Sequence, residues 1–257
     1  MQKTTRPGEK LRHQAEVNIP MNVVHEIVRY LDIVLDGAPV LIGGRAVNLL
    51  CGGESRPSHD IDLVLKSKPT VGQLNELSGR SGTDGTYFTI DGDPNATSRY
   101  SINFHSQALE GITNAGWMKI DVYYPGYQSS LNNFKPAKTI NSLPINAIVD
   151  SAETVQIGDM EFKVASKPML AVMKYMTWKE RGNGNRESKD MQDILKLVRN
   201  HYNTKPSFDK FLGDIAGVLD KHNPEAKSEV LEGISRNANP AIILQDIKRA
   251  AKFRQRK

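Results

Sequence analysis

Two short apolar runs, Ala38–Ile42 and Ile61–Leu65, constrain this chain more than any other feature. Both read as buried strands. The first ends in Gly43-Gly44, and the second is entered through Asp60-Ile61-Asp62. On a strand, residues two apart share a face and stand about 6.5–7 Å apart along the chain. Asp60 and Asp62 therefore point one way, while Ile61 and Leu63 enter the core. Two like charges about 4 Å apart repel by roughly 1 kcal/mol in water and about 4 kcal/mol at an effective dielectric of about 20. A carboxylate pair at the edge of a core needs a counterion, and Mg²⁺ carrying phosphate oxygens is a natural one.

The glycines fit the same chemistry. Arg45–Leu50 reads as a short helix, whose N-terminus offers free N–H groups and a favourable dipole to a phosphate. A tight strand-to-helix turn would also demand glycine for its backbone angles alone. A third acid lies in Met118-Lys119-Ile120-Asp121-Val122, where Asp121 projects from the face opposite its apolar neighbours. Were the two Asp-bearing strands adjacent, three carboxylates would converge. Such a set holds two metals about 3.5–4 Å apart for in-line phosphoryl or nucleotidyl transfer. Asp121 would then stand ready to take a proton from an incoming hydroxyl.

Elsewhere the pattern divides the chain. Met21–Leu35 has helical spacing of Val23, Val24, Ile27, Val28, Leu31 and Val34, with Gly37 as a stop. Thr70–Leu77 reads as a short helix. Thr86–Ile90 and Tyr100–Phe104 read as strands around a turn-rich Asp91-Gly92-Asp93-Pro94-Asn95, and Trp117–Tyr124 as a further strand. Thr154–Ile157 and Glu161–Val164 flank Gly158-Asp159 as a hairpin. From Ser166 onward only helices are expected: Lys167–Trp178, Ser188–Val198, Phe208–Lys221, Pro224–Ser235 and Pro240–Phe253, with Gly182-Asn-Gly184-Asn parting the first two. The expected organisation is a mixed α/β domain over residues 1–165 and a helical domain over 166–257, an α+β chain overall.

A length of 257 residues accommodates one large domain or two modest ones. No apolar run approaches the roughly 20 residues a bilayer span requires. Cys51 is the single cysteine, which excludes an intrachain disulfide and makes a reducing cytoplasm the expected setting. It is expected to pack as a small hydrophobe. The net charge of +5 suits an anionic partner. Positive charge gathers at the ends, in Lys3, Arg6, Lys10 and Arg12 and in Lys248, Arg249, Lys252, Arg254, Arg256 and Lys257. Solvated terminal charge is the plainer account of those arms.

Gly43-Gly44, Asp60-Ile61-Asp62 and Asp121 together resemble the signature of the nucleotidyltransferase superfamily related to DNA polymerase β. Arg56-Pro-Ser58-His-Asp60-Ile-Asp62 approaches a subgroup pattern of the same superfamily. The segment Val164–Lys174 resembles the opening of the helical domain in AbiEii-type toxin nucleotidyltransferases. Their lysine with a basic residue five positions on is matched by Lys174 and Lys179, and their basic-Asp-x-x-Asp region by Lys189-Asp190-Met-Gln-Asp193. The resemblance implies that Lys174 contacts phosphates and that Asp193 acts at the active site. Lys174 and Trp178 share one helical face, as do Asp190 and Asp193. A solvated basic face is the plainer reading of Lys174, Lys179, Arg181, Arg186 and Lys189.

This chain departs from the family pattern in places. Fifteen residues separate Gly44 from Asp60, more than is typical, and Arg45 replaces a small residue. Arg45 is expected either to touch phosphate or to face solvent. The Thr83–Gly116 insertion matches nothing in the pattern.

The sequence therefore leads to a Mg²⁺-dependent nucleotidyltransferase that moves a nucleoside monophosphate from an NTP to a hydroxyl. Asp60, Asp62 and Asp121 are the expected metal ligands, two ions being accommodated. Asp60, Asp62, Asp121 and Asp193 are expected to act in catalysis, and Gly43, Gly44, Arg45, Lys174 and Lys179 to hold the triphosphate. RNA, the 3′ end of tRNA in particular, is the favoured acceptor; a protein side chain or an aminoglycoside-type molecule is an alternative. A cognate antitoxin is a candidate partner. Two rivals stand beside this reading. One is a non-catalytic nucleotide- or RNA-binding module of the same fold. The other is a metal-dependent phosphohydrolase, for which His59 faces the wrong way by alternation.

Overall fold

The structure, a computed structural model, describes residues 21–35, 37–52, 60–79, 87–91, 101–106, 109, 117–125, 139–140, 143–181 and 188–245. The basic arms at both termini, Arg56, Ser58, His59, the turn at 92–95, the 182–185 linker, Arg186 and much of the Thr83–Gly116 insertion lie outside the described residues.

Helix α1 (Met21–Leu35) buries Val23, Val24, Ile27, Val28, Leu31 and Val34, the stripe its spacing predicts. Strand β1 (Val40–Ile42) is buried throughout and runs straight into α2 (Gly43–Leu50). There follow β2 (Asp60–Val64), α3 (Val71–Gly79), β3 (Tyr87–Asp91), β4 (Ser101–His105) and β5 (Trp117–Tyr123). Next come the two-residue strands β6 (Thr139–Ile140) and β7 (Leu143–Pro144), α4 (Ile145–Asp150), β8 (Glu153–Ile157) and β9 (Met160–Val164).

Seven strands form one mixed sheet in the order β3-β4-β5-β2-β1-β9-β8. The central strand β2 lies parallel to β5 and antiparallel to β1, which in turn lies parallel to β9. The parallel β2–β5 pairing brings the acids together, setting Asp62 opposite Asp121 and Asp60 opposite Lys119. Ile61, Leu63, Ile120 and Val122 occupy the other face and are fully or almost fully buried. Strands β3 and β4 place part of the insertion on the sheet, β4 pairing antiparallel with β5.

Beyond Val164 the described elements are helical: α5 (Lys167–Glu180), α6 (Lys189–His201), α7 (Lys205–His222), a short 3₁₀ turn at Pro224–Ala226 and α8 (Lys227–Ala238), with a further helical segment at 240–245. Every residue from Met169 to Tyr175 is buried in α5. A helix apolar all round is a central one, and α5 contacts α2, α6, α7 and α8. Its neighbours carry their own start signals. Ser188 accepts from the Met191 N–H at the head of α6, and Thr204 and Ser207 form a capping box at α7.

Local readings change in several places, among them the unread β6 and β7 and the 3₁₀ turn that opens the segment expected as a helix from Pro224. The helix after β1 begins at Gly43 rather than Arg45, because Gly43 takes φ +71° and turns the chain directly from strand to helix. Helix α4 goes unread in the sequence, since six residues between Pro144 and Ser151 show too little periodicity. No helix among the described residues is long and apolar enough to cross a membrane.

Candidate active site

The three acids predicted to converge do so. Asp60, Asp62 and Asp121 each offer a carboxylate oxygen within 4.8 Å of the others. Alternation places Asp60 and Asp62 on one face of β2, and register brings Asp121 beside them on β5. Asp121 is buried at 4 % exposure, while Asp60 and Asp62 are half-buried. Hard carboxylate oxygens are the ligand type that Mg²⁺ prefers.

Gly43 closes in on this cluster from above. A Cβ built there would overlap the Asp62 carboxylate, so only glycine lets the α2 backbone come this near. Positive φ at the same residue adds a second requirement for glycine. The preceding residue, Ile42, has no side chain able to cap the helix. The first-turn amides of α2 thus meet the acids at a helix terminus suited to an anion.

Two cations border the acids. Arg45 in the first turn of α2 is 2 % exposed, which overturns the expectation that it could face solvent. Burial draws its guanidinium down to about 10, and Asp60 opposes that shift, so it stays charged near neutrality. Lys119 is the other cation, and sequence reasoning passed over it. Its Nζ lies 2.9 Å from Asp121 Oδ1 and donates to Oδ2 at 3.2 Å. The signal was present, since the alternation that turns Asp121 away from Ile120 and Val122 puts Lys119 on the same face.

The helical motif residues form a second charged group. Lys174 on α5 is buried, with Nζ 2.7 Å from Asp193 Oδ2 and 3.2 Å from Asp190 Oδ1. Arg181 reaches the other oxygen of Asp190 at 2.7 Å. Lys179 does not join them: it turns to α8, with Nζ 2.5 Å from Glu229. Five positions along a helix carry a side chain well off the first one's face.

A cleft of about 570 Å³ opens where α6 meets the end of α2, lined by Cys51, Gly52, Gln192, Asp193, Lys196 and Asn200. Lys196 donates to Asn48 Oδ1 at 3.0 Å, and His201 Nε2 donates to the Leu50 carbonyl at 2.6 Å. These bonds tie α6 along α2. Neither was evident in the sequence, where the partners lie about 150 positions apart. Burial pushes the Cys51 thiol up to about 11, in keeping with a packing role. A larger depression of about 750 Å³ lies between α4 and α7 and includes none of the three acids.

The family model described as "Nucleotidyl transferase AbiEii toxin, Type IV TA system" matches residues 32–255. No curated protein matches the chain in sequence. Among solved structures, an antigenic nucleotidyltransferase-like protein from Paracoccidioides brasiliensis is similar at 17 % identity. That match covers 82 % of this chain and 91 % of the other, with a TM-score of 0.48. ANT(2″)-Ia in complex with adenylyl-2″-tobramycin matches at 13 % identity over 78 % of this chain and 97 % of its own, TM-score 0.43. A putative nucleotidyltransferase from H. pylori matches at 14 % identity over 93 % of this chain and 99 % of its own, TM-score 0.39.

Proposed function

The chain belongs to the AbiEii nucleotidyltransferase family, and from that premise we propose that it transfers a nucleoside monophosphate from an NTP to a hydroxyl of RNA in a Mg²⁺-dependent reaction. The observation that carries this reading is the convergence of Asp60, Asp62 and Asp121 within 4.8 Å beneath the Gly43 turn. Divalent ions bound there would supply the positive charge that offsets the triphosphate and acidifies the attacking hydroxyl. Asp60 and Asp62 hold them, and Asp121 completes the ligand set. The first-turn amides of α2, from Gly43 and Gly44, receive phosphate oxygens, with the buried Arg45 adding charge behind them.

In the transfer step the acceptor oxygen bonds to the α-phosphorus and the α–β phosphoanhydride bond breaks. Pyrophosphate leaves, and the hydroxyl proton passes to Asp121. Catalysis of this kind rests on positioning and charge, which is what rigid strands and a buried helix start provide. Residues 1–165 form the catalytic domain in this reading, and 166–257 the helical one. The cleft beside Asp193 has the volume of a nucleoside-sized site, and Lys174 steadies Asp193 at its wall. Lys174 lends positive charge on this side, whereas Lys179 is engaged by Glu229 on α8.

RNA is favoured as acceptor, the 3′ end of tRNA foremost, because the chain is basic overall with charge massed at both termini. The family description, a toxin of a type IV toxin–antitoxin system, supports a cognate antitoxin as partner.

The test is transfer from labelled NTPs to total RNA by the wild type and by the double variant Asp60→Ala, Asp62→Ala. The variant should lose at least about a thousandfold in rate. Undiminished transfer would sink the assignment. Acceptor binding that weakens steeply with salt supports RNA, whereas salt-insensitive binding points to a small acceptor.

A further inference from the structure

Lys119 stands on the metal face of the sheet, yet its contact competes with metal. Its ammonium touches both oxygens of Asp121, at 2.9 and 3.2 Å. While that ammonium sits on both oxygens of Asp121, it opposes a metal cation at the same carboxylate, because two positive charges would be forced together. The Lys119 side chain is 47 % exposed whereas that of Asp121 is 6 % exposed, so the lysine is the partner free to move.

Register decides where it goes. Lys119 lies opposite Asp60 across the β2–β5 pairing, and Asp62 lies opposite Asp121. An ammonium released from Asp121 thus remains on the same face, beside the acids, and cannot withdraw into the core side held by Met118 and Ile120. With Asp60 across from it engaged by the same metal, the anion left for the ammonium on this face is the phosphate that arrives with that metal.

We propose that Lys119 is an exchangeable counter-ion that couples metal capture to triphosphate arrival. Before substrate, it neutralises Asp121 and weakens the site for free divalent metal. When a metal–triphosphate complex enters, the ammonium passes from Asp121 to a phosphate oxygen and Asp121 passes to the metal. Lys119 is in this role a positioning residue, acting through Asp121. The inference rests on the nucleotidyltransferase reading above and adds a sequence of events to it.

The experiment is Mn²⁺ binding, followed by electron paramagnetic resonance, on the full chain as wild type, K119M, K119Q and K119R. Each is measured alone and with α,β-methylene analogues of the four NTPs. Without nucleotide, K119M and K119Q should bind Mn²⁺ at least about tenfold more tightly than wild type, since the competitor is gone. The analogue that binds should then tighten Mn²⁺ less in these variants than in wild type, and K119R should restore both behaviours. Equal Mn²⁺ affinity in wild type and in both neutral variants would overturn the Lys119 assignment alone. A wild type that takes up no Mn²⁺ with or without any analogue would overturn the functional reading along with it. Circular dichroism on each variant confirms folding, and agreement between K119M and K119Q separates loss of charge from change of shape.

Discussion

Asp60, Asp62 and Asp121 on the sheet have Arg45 and Lys119 close by, whereas Asp190 and Asp193 on α6 meet Lys174 and Arg181 across α5. The two groups use the same residue types and reach opposite balances. On the sheet the three acids outnumber the two cations. In the helical group cations and acids are matched, and its central member, Lys174, is buried between both carboxylates. Excess negative charge gathered on rigid strands favours a cation there. Matched charge between helices holds its own geometry.

The largest effects should therefore separate along that line. Lys174→Met leaves Asp190 and Asp193 buried without their shared partner, and stability in urea should fall by about 3–5 kcal/mol. Asp62→Asn removes a repulsion, so its stability should hold or rise slightly while nucleotidyl transfer collapses. If Lys174→Met proves as stable as wild type, the matched group does not hold itself together, and the contrast fails.

A smaller effect sharpens the sheet side. Gly43 and Gly158 both have positive φ, at +71° and +57°. Alanine at either should cost about 1–2 kcal/mol in backbone strain. Only at Gly43 does the new methyl strike a carboxylate, while the Gly158 position at the β8–β9 turn is open. Gly43→Ala should accordingly slow transfer by roughly a hundredfold through displaced Asp62, and Gly158→Ala should leave transfer as it was. Equal activities would show that the close approach is immaterial.

The smallest effect lies at the seam between the two regions. Burial lowers the His201 pKa, with the bond to the Leu50 carbonyl opposing it. The folded state thus binds this proton less well than the unfolded chain, whose value is about 6.5. Stability contributed by the neutral ring is complete above that pH and is lost as pH falls toward the folded value. On going from pH 8 to pH 5, the melting temperature of wild type should decline relative to His201→Gln. A constant difference between the two would place the ring in ordinary solvent.

The acid centre was legible because strand alternation is a strict rule: once β2 and β5 are strands, the directions of Asp60, Asp62 and Asp121 follow. The adjacency of those strands was a condition the sequence could pose and not answer. Lys119 obeyed the same alternation but went unread, as a lysine between apolar residues passes for ordinary surface charge. Lys174 and Lys179 looked equivalent in sequence, yet α6 claims one and α8 the other, a choice made by packing. The start of α2 was misplaced by two residues because glycine usually ends helices, and here its left-handed turn begins one.

That turn has a mechanical consequence. Helix α2 spans about 12 Å, with Gly43 pressed on Asp62 at one end and the Lys196 and His201 bonds at Asn48 and Leu50 toward the other. About two turns of hydrogen-bonded backbone therefore join α6 to the Asp62 carboxylate. A partner that pries α6 by even a fraction of an ångström would be felt at Asp62, with no need to approach the acids itself.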